Sequence, residues 1–178
     1  MEITCGEAPY LVSRYDTTTG EIIPLQYRIG LLDRKLRIVS ENTETSGEWL
    51  DWAQIAYQNT YGFEWQGDSL LLAREALLLT FIENYKAKFD KRPIEKSIKY
   101  IAYIVSWNLW QMDGLRGVVP NSCRDGVIEK EMSLFGERDK LIRCPGCKQE
   151  NIQLHNGTYC VIRDWANDKK IRYVDLLR

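Results

Sequence analysis

Apolar positions recur along most of this chain with the period of helices, and two short apolar runs interrupt them. Leu25, Ile29, Leu32, Leu36 and Val39 fall at helical spacing, with Arg28, Arg34, Lys35 and Arg37 on or beside the polar side, and predict an amphipathic helix over 25–39. Ser40 to Gly47 breaks it. Trp49, Trp52, Ala53, Ala56 and Tyr57 then predict a second helix packed by an aromatic stripe, which burial explains without any cofactor. The apolar run from Tyr61 to Trp65 ends in the turn Gln66-Gly67-Asp68 and leads into about five turns of helix, with Asp68 or Ser69 as N-cap and Leu71, Leu72, Leu78, Ile82 and Tyr85 on its buried face. This is one strand-turn-helix unit of an α/β sheet. Pro93 opens another helix in its first turn, carried by Ile94, Ile98, Ile101, Ala102 and Val105, and 106–115 reads as a second buried strand ending at Asp113-Gly114.

Elsewhere the pattern is weaker. Met1 to Arg14 is irregular, and Asp16 to Gly20 is a turn. From Pro120 to Asn156 periodicity gives way to turn residues, charges and cysteines. Tyr159 to Trp165 and Ile171 to Val174 flank 166–170 and predict a terminal β-hairpin. The expected organisation is an α/β domain over 1–118, with a cysteine-rich segment and hairpin over 119–178 packed on it.

Composition narrows the classes. A chain of 178 residues with 44% hydrophobic content can bury one core. A net charge of -1 removes the case for a whole-surface nucleic-acid footprint and leaves only the basic helix from Arg28 to Arg37 as a candidate DNA face. No apolar run approaches membrane-spanning length, and the opening Met1-Glu2-Ile3-Thr4-Cys5 has neither a basic nor an apolar signal character, so the expected location is the cytoplasm. Five cysteines in a reducing compartment point to metal binding or burial rather than to disulfides.

Two groups of residues carry candidate chemistry. Cys144-Pro145-Gly146-Cys147 is a CxxC turn, and His155 and Cys160 follow at spacings that a hairpin can bring back, giving a tetrahedral zinc site; Cys123 is a rival for the fourth place. A shell filled by protein side chains is structural rather than catalytic. The second group is the strand-end acids Glu64 and Asp113. An acid at the carboxyl end of a parallel strand can accept hydrogen bonds from a nucleoside, but acids there also cap the following helix.

Further residues carry a family resemblance. The stretch EITCGEAPYL at 2–11 resembles the first S-adenosylmethionine motif of the Taq-like, gamma-class adenine-N6 DNA methyltransferases, of the form E-P-A-C-x-x-G-x-F-L, with Glu2, Cys5, Pro9, Tyr10 and Leu11 in place. TYGFEWQGDSLLLAREALLL is similar to their second motif and NLWQMDGL to their third. The whole chain, including SLFGE and the cysteine-rich segment, resembles part of the adenine methylase subunits of restriction-modification systems. The resemblance implies a partial Rossmann-like methyltransferase sheet with flanking helices. It also implies S-adenosylmethionine bound weakly, by Glu2, Cys5, Gly6, Tyr10, Glu64 and Asp113, with Glu64 on the ribose and Asp113 on the adenine. Two departures stand out: Ala8 occupies a glycine position, and no Asn-Pro-Pro-Tyr, the motif that holds the extruded adenine, occurs in these residues. No residue is therefore assigned a catalytic role.

The expected function is a non-catalytic or split part of such a methyltransferase that acts by binding a partner. The alternatives are a phage or mobile-element inhibitor of a host defence nuclease, of the restriction or CRISPR type, and a zinc-stabilised DNA-binding module. Because the family's first motif follows a central strand, 61–66 is expected to lie at a bare sheet edge. A second copy or a larger nucleic-acid enzyme would dock there, around 2–12 and 61–66.

Overall fold

A computed structural model describes residues 1–124, 127–134 and 136–177. The chain divides into two compact units, Met1–Gln111 and Met112–Arg178, where the sequence reading sets the boundary at 118.

The first unit is mixed α/β. Strands β1 (Glu2–Ile3), β2 (Gly62–Glu64) and β3 (Leu109–Gln111) form a parallel sheet in the order β1-β2-β3. Glu2 lies opposite Gly62, and Phe63 opposite Trp110. Parallel neighbours need long crossovers. Helices α1 (Leu31–Asn42) and α2 (Ser46–Gln58) supply the first, and α3 (Gly67–Phe89) and α4 (Glu95–Asn108) the second. The expectation of a bare edge at 61–66 is overturned. Glu2 and Ile3 themselves make a strand, so β2 is paired on both sides and Phe63 is fully buried.

Aromatic packing holds the helices. The Trp49 ring of α2 lies 5.7 Å from Phe81 and 5.4 Å from Tyr85 of α3, and the Tyr57 hydroxyl donates to Leu77 O at 2.7 Å. The stripe read as core is core, except that Trp52 is exposed.

Three elements start or end elsewhere than the pattern predicts, each for a local reason. Leu25–Tyr27 is a 3-10 turn and α1 begins only at Leu31. Asp33 Oδ2 accepts the N–H groups of Ser13 at 2.7 Å and Gly30 at 3.2 Å, which fixes Gly30 as the N-cap. A Cβ on Gly30 would sit 2.5 Å from Leu11 O. Helix α3 is capped by Gln66 rather than Asp68 or Ser69, and it buries Leu70, Ala73, Leu77, Phe81 and Tyr85. Leu71 and Leu72 are exposed, while Leu78 and Ile82 are half-buried. Apolar residues surround this helix almost completely, so periodicity does not single out its face, and the small Ala73 and Ala76 turn inward. Helix α4 starts after Ile94 and continues through Asn108, leaving β3 three residues long. The buried Asn108 amide donates to the carbonyls of Tyr57, Gln58 and Thr60 at 2.9, 3.2 and 3.0 Å, which ties this helix end to the turn before β2.

The second unit consists of two antiparallel hairpins and short helical turns. Strands β4 (Val127–Ser133) and β5 (Gly136–Ile142) pair with each other, as do β6 (Val161–Asp164) and β7 (Lys169–Arg172). The terminal hairpin lies where the sequence predicts it. The β4–β5 hairpin falls in the stretch read as irregular, because Glu129, Lys130, Glu131, Arg138, Asp139 and Lys140 put charge on both faces. Helix α5 (Pro145–Gln149) follows β5. Among the described residues, the buried hydrophobic side chains of this unit are Met112, Val118, Cys144, Cys160, Ile162, Tyr173 and Val174. Among the described residues no helix is long and apolar enough to cross a membrane.

Candidate metal centre and strand-end loop

Four donors of the second unit converge: Cys123, Cys144, Cys147 and His155 present ligand atoms that all lie within 4.8 Å of one another. His155 Nδ1 stands 3.5 Å from Cys123 Sγ, 3.5 Å from Cys144 Sγ and 3.6 Å from Cys147 Sγ. Bond lengths of about 2.3 Å to sulfur and 2.05 Å to nitrogen at tetrahedral angles put S and N about 3.6 Å apart, so the spacing fits a single zinc ion. Pro145 opens α5 at its first position and lets the CxxC turn close, with Lys148 N–H donating to Cys144 O at 3.0 Å.

Two glycines let the other ligands in. A Cβ on Gly146 would lie 2.6 Å from His155 N and 2.7 Å from His155 Cγ. One on Gly157 would meet Ser122 Oγ at 2.6 Å and Cys123 N at 2.9 Å. Neither approach is open to a residue with a side chain.

The thiols differ sharply. Burial opposes ionisation of Cys144, but the N–H groups of Asn156 and Cys147, with the His155 and Cys147 side chains, outweigh it and bring its pKa down to about 6. Cys160 is not in the group. Its N–H donates to Gly117 O and its carbonyl accepts from Tyr173, which fixes it in the core just before β6, and burial pushes its thiol up to about 12. Spacing alone ranked Cys160 ahead of Cys123, whereas the fold brings Cys123 to His155. No spacing in the sequence singles out Cys123, whose approach depends on the bare Cα of Gly157 in the fold.

In the first unit, the loop after β1 folds over the end of β2. Cys5 N–H donates to Phe63 O at 2.7 Å, and Gly6 N–H donates to Glu64 Oε2 at 2.6 Å. Glu64 Oε1 accepts from Gln66 N–H at 3.0 Å. Gly6 takes a left-handed φ of 54° with open space where a Cβ would point, and the buried Ala8 takes a φ of 65°. Burial, with Glu2 and Glu64 nearby, pushes the Cys5 thiol up to about 12. Burial also raises the Glu2 carboxyl, whose Oε2 has no hydrogen-bond partner among the described residues. Glu2, Cys5, Gly6 and Glu64 are thus brought together, while the Tyr10 side chain is exposed. Asp113 belongs to the second unit. Its Oδ1 accepts N–H groups of Leu115 and Arg116 at 3.0 and 3.2 Å, so it caps its own turn.

The basic helix is less free than its sequence suggests. Arg28 is buried against Glu83 at 2.5 Å, Lys35 donates to Asn59 O, and Arg37 donates to the carbonyls of Gln26 and Arg28. Comparison with protein-family models, with curated proteins and with solved structures finds no match for this chain.

Proposed function

We propose that this chain is the S-adenosylmethionine-side part of an adenine-N6 DNA methyltransferase of a restriction-modification system, non-catalytic on its own, which works by binding a partner that brings the adenine-holding residues. The observation that carries this reading is the hydrogen bond from Gly6 N–H to Glu64, 2.6 Å, joining the loop after β1 to the carboxyl end of the neighbouring parallel strand β2. Nucleoside ligands of open parallel sheets bind at that position. The order β1-β2-β3 with helical crossovers is what one half of a doubly wound sheet requires, and it supports the Rossmann-like reading.

The residues fit the cofactor. The orphaned, buried Glu2 Oε2 is an acceptor in want of a donor such as a ligand ammonium, and the open space beside Gly6 leaves room for a ligand chain. Glu64, already organised by two backbone N–H groups, has lone pairs left for ribose hydroxyls. The cofactor would supply the methyl group; these residues bind and orient it. Isothermal titration with S-adenosylmethionine tests the reading: wild type binds and Glu64→Gln, checked for native circular dichroism, does not. Absence of binding at millimolar cofactor overturns it.

The second unit, in this proposal, is held by one structural zinc ion through Cys123, Cys144, Cys147 and His155. Four protein donors at the spacing above fill the coordination shell, which leaves no position for a catalytic water. Zinc analysis of protein prepared without chelators should give one ion per chain, and none would end this part of the reading.

A further inference from the structure

A cavity of about 620 Å³ opens between α1 and the C-terminal half of α3, a volume usual for small-molecule sites. Two of its lining residues are polar and buried. Asp33 is only 4% exposed; its Oδ2 accepts the N–H groups of Ser13 and Gly30, and its Oδ1 has no partner among the described residues. The buried Arg28 and the half-buried Arg14 both pair with Glu83 at 2.5 Å, and neither reaches that oxygen. Asn84 is 8% exposed, and its Nδ2 donates to Thr80 O at 2.8 Å, which turns Oδ1 away from that carbonyl as an acceptor. Buried acceptors require donors, and what occupies the cavity is placed to supply them.

The other wall is cationic. Arg37 lies one turn after Asp33 on the same face of α1 and lines the cavity too. Its Nη2 donates to the carbonyls of Gln26 and Arg28 at 3.1 and 2.7 Å, which hold the guanidinium in place without neutralising it. Lys88 Nζ donates to Ser40 O at 2.7 Å. Neither cation forms an ion pair among the described residues.

Charge therefore selects the ligand class. A simple anion would suit Arg37 and Lys88 but leave Asp33 Oδ1 without a donor, and a simple amine would do the reverse. A molecule with an ammonium at one end and a carboxylate at the other satisfies both walls. Side chains one turn apart stand about 5–6 Å from each other at Cβ, so the two charges belong at the ends of a short carbon chain rather than on one carbon.

We propose that the cavity between α1 and α3 binds a small ω-amino acid, with its ammonium on Asp33 Oδ1 and Asn84 Oδ1 and its carboxylate on Arg37 and Lys88. The probe is 4-aminobutanoate, with butanoate and n-butylamine as analogues that each lack one charge, read by isothermal titration of the full chain at millimolar ligand. The zwitterion should bind at least roughly tenfold more tightly than either analogue. Asp33→Asn keeps an acceptor for the Ser13 and Gly30 N–H groups but presents an amide donor in place of Oδ1, and it should lose the preference for the zwitterion over butanoate. Because Asp33 also organises the start of α1, a second variant leaves it alone. Ala87→Phe, at an exposed position on the cavity wall, should abolish binding while circular dichroism and melting temperature stay native. Equal affinity for all three compounds, or undiminished binding by Ala87→Phe, overturns the proposal. So does no binding by wild type, the result expected if Asp33 Oδ1 meets water alone.

Discussion

Replacing Gly146 by alanine tests the metal centre without touching a ligand. The added methyl would stand 2.6 Å from His155 N and 2.7 Å from His155 Cγ and Nδ1, where ordinary contact begins at 3.4 Å. Relief requires a movement of roughly 0.7 to 0.8 Å, and the atoms met are backbone and the base of the ring rather than a flexible tip. Zinc–ligand distances are held to about 0.2 Å, so a shift of this size takes His155 Nδ1 out of bonding range or bends the CxxC turn. Changes that merely reorient a ligand cost about 10- to 100-fold in metal affinity, and Gly146→Ala should reach or exceed the upper end. The assay is competition with a chromophoric chelator, read as zinc released at equilibrium. Gly47→Ala is the control. Its Cβ meets nothing within 4 Å and it lies in the first turn of α2, so it should leave zinc affinity unchanged. Gly146→Ala protein with wild-type zinc affinity would refute the reasoning.

Further outcomes follow from other residues. The chain alone should transfer no methyl group from labelled S-adenosylmethionine to duplex DNA, since the residues that would hold the extruded base are not in this sequence; incorporation of label would contradict this. Asn108→Leu strips three carbonyls of one buried donor group and should cost roughly 2–4 kcal/mol in urea unfolding; a change under about 0.5 kcal/mol would show that the bridge contributes little.

The sequence made the α/β class and the order of helices legible because Leu32, Leu36, Trp49, Tyr57 and Ile101 sit at the right period and are buried. Boundaries escaped it where a polar side chain made a tertiary bond. Asp33 delays α1 by reaching Ser13, and Asn108 prolongs α4 by reaching the carbonyls before β2. The face of α3 escaped it because leucines surround that helix, leaving Leu71 and Leu72 exposed. The β4–β5 hairpin carries charges on both faces, so it has no period-two signature to read. In the metal centre Cys144, Cys147 and His155 were legible from spacing. The choice of Cys123 was not, because it depends on a loop closing through Gly157.

X-ray absorption at the zinc edge of the purified chain tests the centre most directly. Three sulfur scatterers at about 2.3 Å and one imidazole nitrogen at about 2.0–2.1 Å, unchanged in Cys160→Ser, are the result this account predicts. Four sulfurs, an oxygen donor, or a shell altered by Cys160→Ser would contradict it.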